Sequence, residues 1–195
     1  MRGSQLSGRQ ALLERVANEI LQLPPTHVRR VGVDGVDGAG KTVFADELAV
    51  ILTRWGQSVI RASADAFHNP RHLRYRLGKH SPEGFFRDSY NYDKVKELLL
   101  DPLSPQGNMC FRRAVYDIHR ERPVDAQDER AQPGAILVFD GIFLHRPELR
   151  TYWDYSVFLE VSFEISVPRG AQRGMGSADP VGPPIDVTSK ASSFT

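Results

Sequence analysis

Gly35-Val36-Asp37-Gly38-Ala39-Gly40-Lys41-Thr42 fits the phosphate-binding pattern G-x-x-x-x-G-K-[ST] at each defined position. The glycines let the backbone turn tightly and bring its N–H groups against a phosphate with no Cβ in the way. Lys41 can reach β- and γ-phosphate oxygens as a compact positive charge. Thr42 offers a hydroxyl to a magnesium ion, and a helix opening here points the positive end of its dipole at the same anion. The flanks fit. Val28-Arg29-Arg30-Val31-Gly32-Val33 reads as a strand, and 42–53 as a helix with apolar residues at helical spacing. A glycine-rich turn that binds nothing is the competing reading. The full pattern and both flanks weigh against it, so residues 35–42 are expected to hold the phosphates of ATP or GTP.

Working outward, the 195 residues suit one domain. Hydrophobic residues make up 41% and charged residues 25%, as in ordinary globular proteins. The formal charge of +1, from 25 basic and 24 acidic residues, gives no support for a nucleic-acid-binding surface. No apolar run is long enough for a membrane span, and none at the start reads as a signal peptide, so a cytoplasmic protein is expected. One cysteine, Cys110, excludes an internal disulfide framework. The sequence is compatible with a homo-oligomer.

Residues 6–21 carry Leu12, Leu13, Val16, Ile20 and Leu21 as the apolar face of a helix that Pro24-Pro25 ends. A core follows over 28–173. Ser58-Val59-Ile60-Arg61-Ala62 reads as a second strand leading into Asp65. The stretch 69–90 reads as a long functional loop with Phe85 and Phe86 as its apolar anchors. Asp93 is placed to cap a helix over 94–100, and segments around 109–116 and 121–124 fit a hairpin. Ala135-Ile136-Leu137-Val138-Phe139-Asp140 is a near-continuous apolar strand, as in a parallel sheet buried on both faces. Residues 155–161 give another strand, and 163–173 a helix interrupted by Pro168. From 174 to 195 the chain is rich in Gly, Pro, Ser and Thr and reads as a mobile, atypical tail. Strands alternate with helices, so the expected class is α/β, a P-loop fold with a mainly parallel sheet and a small hairpin and lid region.

Phosphoryl transfer needs a phosphate cradle, a metal site, a group that deprotonates the acceptor, and positive charge for the transition state. Asp140, at the end of a buried strand, has the position of a magnesium-binding acid beside Thr42; a turn residue before Gly141 is the alternative. Asp65 follows the strand next after the phosphate loop and is the candidate general base, with an N-cap or turn role as its rival. Asp93 could accept two hydrogen bonds from a vicinal diol, or cap its helix. Tyr92 and Tyr116 could contact an acceptor or belong to the core. His68 is close to Asp65 in sequence. Arg169 and Arg173, four apart on one helix face, could meet phosphates or face solvent.

With these residues in hand, the chain resembles the uridine kinase and phosphoribulokinase family of P-loop kinases, especially bacterial uridine-kinase-like proteins. Ser63-Ala64-Asp65-Ala66-Phe67 is similar to the family's S-x-D-x-F stretch, and Asn91-Tyr92-Asp93 to its N-[FY]-D motif. Arg113-Ala114-Val115-Tyr116-Asp117 looks like its P-x-Y-D region. Val138-Phe139-Asp140-Gly141-Ile142 is similar to its [VI]-x-[ED]-G-[IV] strand, and the order agrees. The resemblance runs from about 31 to 173. It implies an ATP- or GTP-dependent transferase acting on a primary hydroxyl, with uridine or cytidine as leading acceptor. It implies Asp65 as base, Asp93 on the ribose hydroxyls, Tyr116 near the base or sugar, and Arg169 and Arg173 at the start of a phosphate-covering lid. His68 stands where the family has tyrosine, which keeps another small alcohol, such as pantothenate or a sugar, in play. The tail departs from the family's Arg-Tyr and Gly-Gln stretch, helix and last strand, which implies slow turnover. A nucleotide-dependent regulatory binder and an inactive kinase-like chain are the other readings.

Overall fold

Apolar residues in the central strands face both ways, and this dictates a sheet covered on both sides. The computed structural model describes residues 8–162 and 164, and the backbone of 186–191. The elements around the sheet are helix α1 (Gly8–Leu21), strand β1 (Arg29–Gly35), helix α2 (Lys41–Arg54) and strand β2 (Val59–Ser63). A 3-10 turn, Ala64–Phe67, and the short helices α3 (Arg71–Arg74), α4 (Pro82–Asp88) and α5 (Tyr92–Val95) come next, α5 widening into a π-helical stretch, Lys96–Leu100. Four two-residue strands follow: β3 (Cys110–Phe111), β4 (Tyr116–Asp117), β5 (Arg122–Pro123) and β6 (Glu129–Arg130). Strands β7 (Ile136–Asp140) and β8 (Tyr155–Glu160), with a 3-10 turn, Arg150–Tyr152, between them, and strand β9 (Asp186–Ala191) come last among the described residues.

The main sheet has the order β2-β7-β1-β8-β9, with the first four strands parallel and β9 antiparallel to β8. Along β7, Ile136 and Val138 pack with Val31, Val33, Phe44, Leu48 and Ile20, under α1 and α2. Leu137 and Phe139 face the other way, onto Ile60, Phe67, Leu99, Leu144 and Trp153. The unbroken apolar run of this strand is thus the signature of burial on both faces.

Two local expectations are corrected. The helix after the long loop is capped by Asn91, whose Oδ1 accepts from the Lys94 amide at 3.0 Å; Asp93 lies inside the first turn. Phe85 and Phe86 are substantially exposed and pack edge-on against Phe143, which ties the long loop to the segment after β7. Within the expected tail, residues 186–191 form β9 on the sheet edge, because the open edge of β8 offers unpaired backbone groups to an extended segment; the rest of the tail lies outside the described residues. The expected hairpin is a nested arm: Tyr116 and Asp117 pair with Pro123 and Arg122, and outside them Cys110 and Phe111 pair with Arg130 and Glu129. No described helix is long and apolar enough to cross a membrane.

Candidate active site

Parallel strands in register bring the ends of β1, β7 and β2 to one line. Asp140 is level with Val33 on one side and with Ser63 on the other. The segments that leave these strands are residues 35–42, Gly141 onward and the Asp65 turn. All three open at the carboxyl end of the sheet, where open α/β sheets place ligands.

The phosphate loop has the conformation its glycines permit. Gly38 and Gly40 have φ of 75° and 85°, left-handed values that L side chains rarely adopt. Gly40 is the N-cap of α2, and a Cβ built there meets nothing within 4 Å. The space in front of the helix end is therefore open to a ligand. Gly35 is required for a different reason: a Cβ there would lie 2.6 Å from the Leu159 carbonyl oxygen of β8. Lys41 is nearly buried and donates to the Val36 carbonyl at 2.9 Å, which arches its ammonium over the loop.

At the base of the loop, the exposed Thr42 hydroxyl donates to Asp140 Oδ2 at 2.8 Å. The other oxygen, Oδ1, is buried and ion-paired with an Arg61 guanidinium nitrogen at 2.7 Å. A hydroxyl beside a carboxylate is a donor set that fits Mg²⁺, which binds through one or two protein oxygens, water and phosphate. Among the described residues no cluster of three His, Cys, Asp or Glu could hold a metal by itself. Gly141 completes this corner, since a Cβ there would lie 2.7 Å from the Ala64 Cβ. The Asp-Gly pair thus lets the Asp65 turn close against β7.

Ser63 caps that turn, accepting from the Asp65 amide at 3.3 Å, and leaves the Asp65 carboxylate exposed. Tyr90 donates its hydroxyl to Asp65 Oδ1 at 3.3 Å. Burial, reinforced by the Asp65 charge, holds the Tyr90 phenol well above its ordinary pKa, so it stays a proton donor. The His68 ring lies against Tyr90 with centroids 4.4 Å apart, its Nδ1 2.8 Å from the Asp65 carbonyl oxygen. Burial lowers its pKa. The backbone pins the turn from two sides: the Asn91 amide donates to the Phe67 carbonyl at 2.7 Å and the Val115 amide to Ala66 at 2.8 Å.

That second bond carries the β4–β5 arm to the site. Tyr116 donates to Glu121 Oε2 at 2.9 Å, and Arg74 grips the other Glu121 oxygen. Arg74 and Glu121 both act electrostatically on His68, which places this trio beside the Asp65 turn. Pro70, Arg71, His72, Tyr116, Glu121 and Pro123 line a cavity of about 620 Å³ there.

The structure thus brings Lys41, Thr42, Asp140, Asp65, His68 and Tyr116 to one end of the sheet. Asp93 stands on the helix that packs against the Asp65 turn, its carboxylate exposed and paired with Lys96 at 2.9 Å. Tyr92 turns toward the segment after β7, donating to the Ile142 carbonyl at 3.3 Å under the Arg146 guanidinium. Burial pushes its phenol pKa up to about 12. Arg169 and Arg173 lie outside the described residues. Sequence reasoning missed Arg61, Arg74, Tyr90 and Glu121. The alternation of β2 could have flagged Arg61, and Tyr90 directly precedes the Asn-Tyr-Asp stretch; Arg74 and Glu121 meet only through the fold.

The profile of the Phosphoribulokinase / Uridine kinase family matches residues 30–177. A search of the curated proteins found no match. Among solved structures, a possible uridine kinase from Bacillus stearothermophilus is similar with a TM-score of 0.70 and 19% identity, over 84% of this chain and 90% of that one. A putative fructose transport system kinase from Silicibacter sp. TM1040 gives 0.67 and 23%, over 87% and 82%. At such identities the structural likeness speaks for the fold. The sequence profile spans well over half the chain, and by it the chain belongs to the phosphoribulokinase / uridine kinase family.

Proposed function

We propose that the chain transfers the γ-phosphate of ATP or GTP to a primary hydroxyl of a small acceptor, with the 5′-hydroxyl of uridine or cytidine as the leading case. The observation that carries this reading is the alignment of the phosphate loop, the Thr42–Asp140 pair and the Asp65 carboxylate at the ends of three adjacent strands. The loop amides and Lys41 bind the phosphates. Asp65 accepts the acceptor's hydroxyl proton as that oxygen bonds to the γ-phosphorus, and the bond from phosphorus to the β-phosphate oxygen breaks to release the nucleoside diphosphate. Tyr90 orients the Asp65 carboxylate. Thr42 and Asp140 would hold Mg²⁺, which when bound neutralises charge on the phosphates.

The acceptor assignment rests on the motif resemblance and on the cavity beside Asp65, where Tyr116 and the gripped Glu121 offer hydrogen-bond acceptors to a hydroxylated ligand. In this reading Asp93 takes the ribose hydroxyls, and His68 closes the wall next to Asp65. Arg169 and Arg173 are proposed to cover the phosphates. The experiment is product identification by phosphorus NMR after incubation with Mg·ATP and uridine or cytidine. A 5′-monophosphate supports the nucleoside assignment. A phosphorylated sugar or pantothenate with no nucleotide product would keep the chemistry and reject the nucleoside.

A further inference from the structure

The sheet carries a second opening at its other end, about 20 Å from the phosphate loop along the seven residues of β1. Leu23, Thr26 and His27 from the segment before β1, and Trp153 and Asp154 from the segment before β8, line a cavity of about 480 Å³ together with Arg29.

Arg29 is 5% exposed. One guanidinium nitrogen donates to Gln57 Oε1 and to the Gly134 carbonyl, both at 3.2 Å. Its Nε is buried with no hydrogen-bond partner, and among the described residues no carboxylate ion-pairs with it. The next residue shows what a compensated arginine looks like in this fold. Arg30 forks onto Asp154 at 3.0 and 3.1 Å and donates to Ser104 at 2.7 Å. Asp154 also meets His27 at 3.1 Å, so the one carboxylate lining the cavity is already taken. Arg30, behind the lining, neutralises Asp154, so Arg29 is left without a counter-ion and its charge rests on a desolvated guanidinium. Burying a cation without a counter-ion is costly, and such a cost is characteristic of a site with a use.

We propose that this cavity binds a small organic anion, with a carboxylate or phosphate on Arg29 and an apolar body against Leu23 and Trp153. The planar guanidinium presents the donors that either oxyanion accepts. Trp153 is a fixed wall: its indole N–H donates to the Leu144 carbonyl at 2.9 Å and its ring stacks on Phe139.

The test uses the full chain saturated with Mg·ADP, so that the phosphate loop is filled. Phenyl phosphate, benzoate and uncharged phenol are each titrated while the Trp153 indole resonance is followed by NMR. A saturable shift with one or both anions and none with phenol is expected; the stronger anion identifies the head group. Arg29→Met should weaken that binding at least about tenfold, the usual weight of a charged hydrogen-bonding group. Without probe its Tm should equal or exceed that of the parent, which the loss of a merely structural arginine would not give. Thr26→Trp, at an exposed position of the lining, should block binding without touching Arg29, and serves if the first variant does not fold. No saturable shift with either anion, unchanged affinity in both variants, or phenol bound as tightly as the anions would overturn the proposal.

Discussion

Gly141→Ala puts a methyl group where the two acidic corners of the site meet. The new Cβ would lie 2.7 Å from the Ala64 Cβ and 3.0 Å from Leu144 Cδ2. The leucine tip can rotate away. The alanine cannot, because it sits at the start of the turn that bears Asp65 and is fully buried. Carbon atoms rest at roughly 3.5–4.0 Å, so β7 and the turn must part by about 1 Å. Overpacking of this kind costs about 1–3 kcal/mol, which for a chain of this size lowers Tm by about 2–12 °C. The catalytic effect should be larger than the stability loss suggests, because Asp140 and Asp65 flank the two clashing residues. A displacement of about 1 Å in such a site can cost about a hundredfold in rate. ATP affinity should change little, since the phosphate loop leaves β1. The assay is kcat and nucleotide Kd for Gly141→Ala, for Ala64→Gly and for the double variant, with Tm for each. The double variant removes the clash and should recover most of the loss. Native kcat and Tm in Gly141→Ala, or no rescue in the double variant, would refute the packing argument.

Lys41→Ala should weaken ATP binding and abolish transfer; a variant that retains both in calorimetry and rate assays would contradict the loop's role. Asp65→Asn should spare ATP binding and Tm, the side chain being exposed, and lower kcat by at least about a hundredfold, or about 2.7 kcal/mol in the barrier. A near-native rate would remove Asp65 from the base role. His68 gives a pH prediction. Burial lowers its proton affinity, outweighing the Asp65 carbonyl and the charges of Asp65 and Glu121, which raise it, while Arg74 lowers it further. Below the ordinary value of 6.5, the unfolded chain gains a proton that the folded chain resists, so this contribution to stability is full above that pH and declines below it. His68→Gln should flatten the fall in Tm between pH 6.5 and the acid limb; an identical pH profile would show that His68 is not the titrating group.

Local patterns made the frame of this protein legible. Residues 35–42 could be read because the turn and its helix start are encoded in one contiguous stretch, and β7 because an apolar run on both sheet faces leaves its mark in sequence. Asp140 and Asp65 followed from where those strands end. What escaped reading depends on contacts between distant segments. Arg61 meets Asp140 across a parallel pair 79 positions apart in number, and Glu121 meets Arg74 through the fold of the arm. Asp93 and Asn91 compete for one helix start, and only the backbone decides that Asn91 takes it. The strand β9 was unreadable because its pairing comes from the open edge of β8, not from its own apolar content.

The most direct test of the central claim is the initial rate of Mg²⁺-dependent transfer from γ-labelled ATP to a panel of acceptors: uridine, cytidine, adenosine, pantothenate, ribulose 5-phosphate and small sugars. The account predicts labelled product with at least one small alcohol, uridine or cytidine first, and its loss in Asp65→Asn. ATP bound at the loop with no transfer to any acceptor would contradict it.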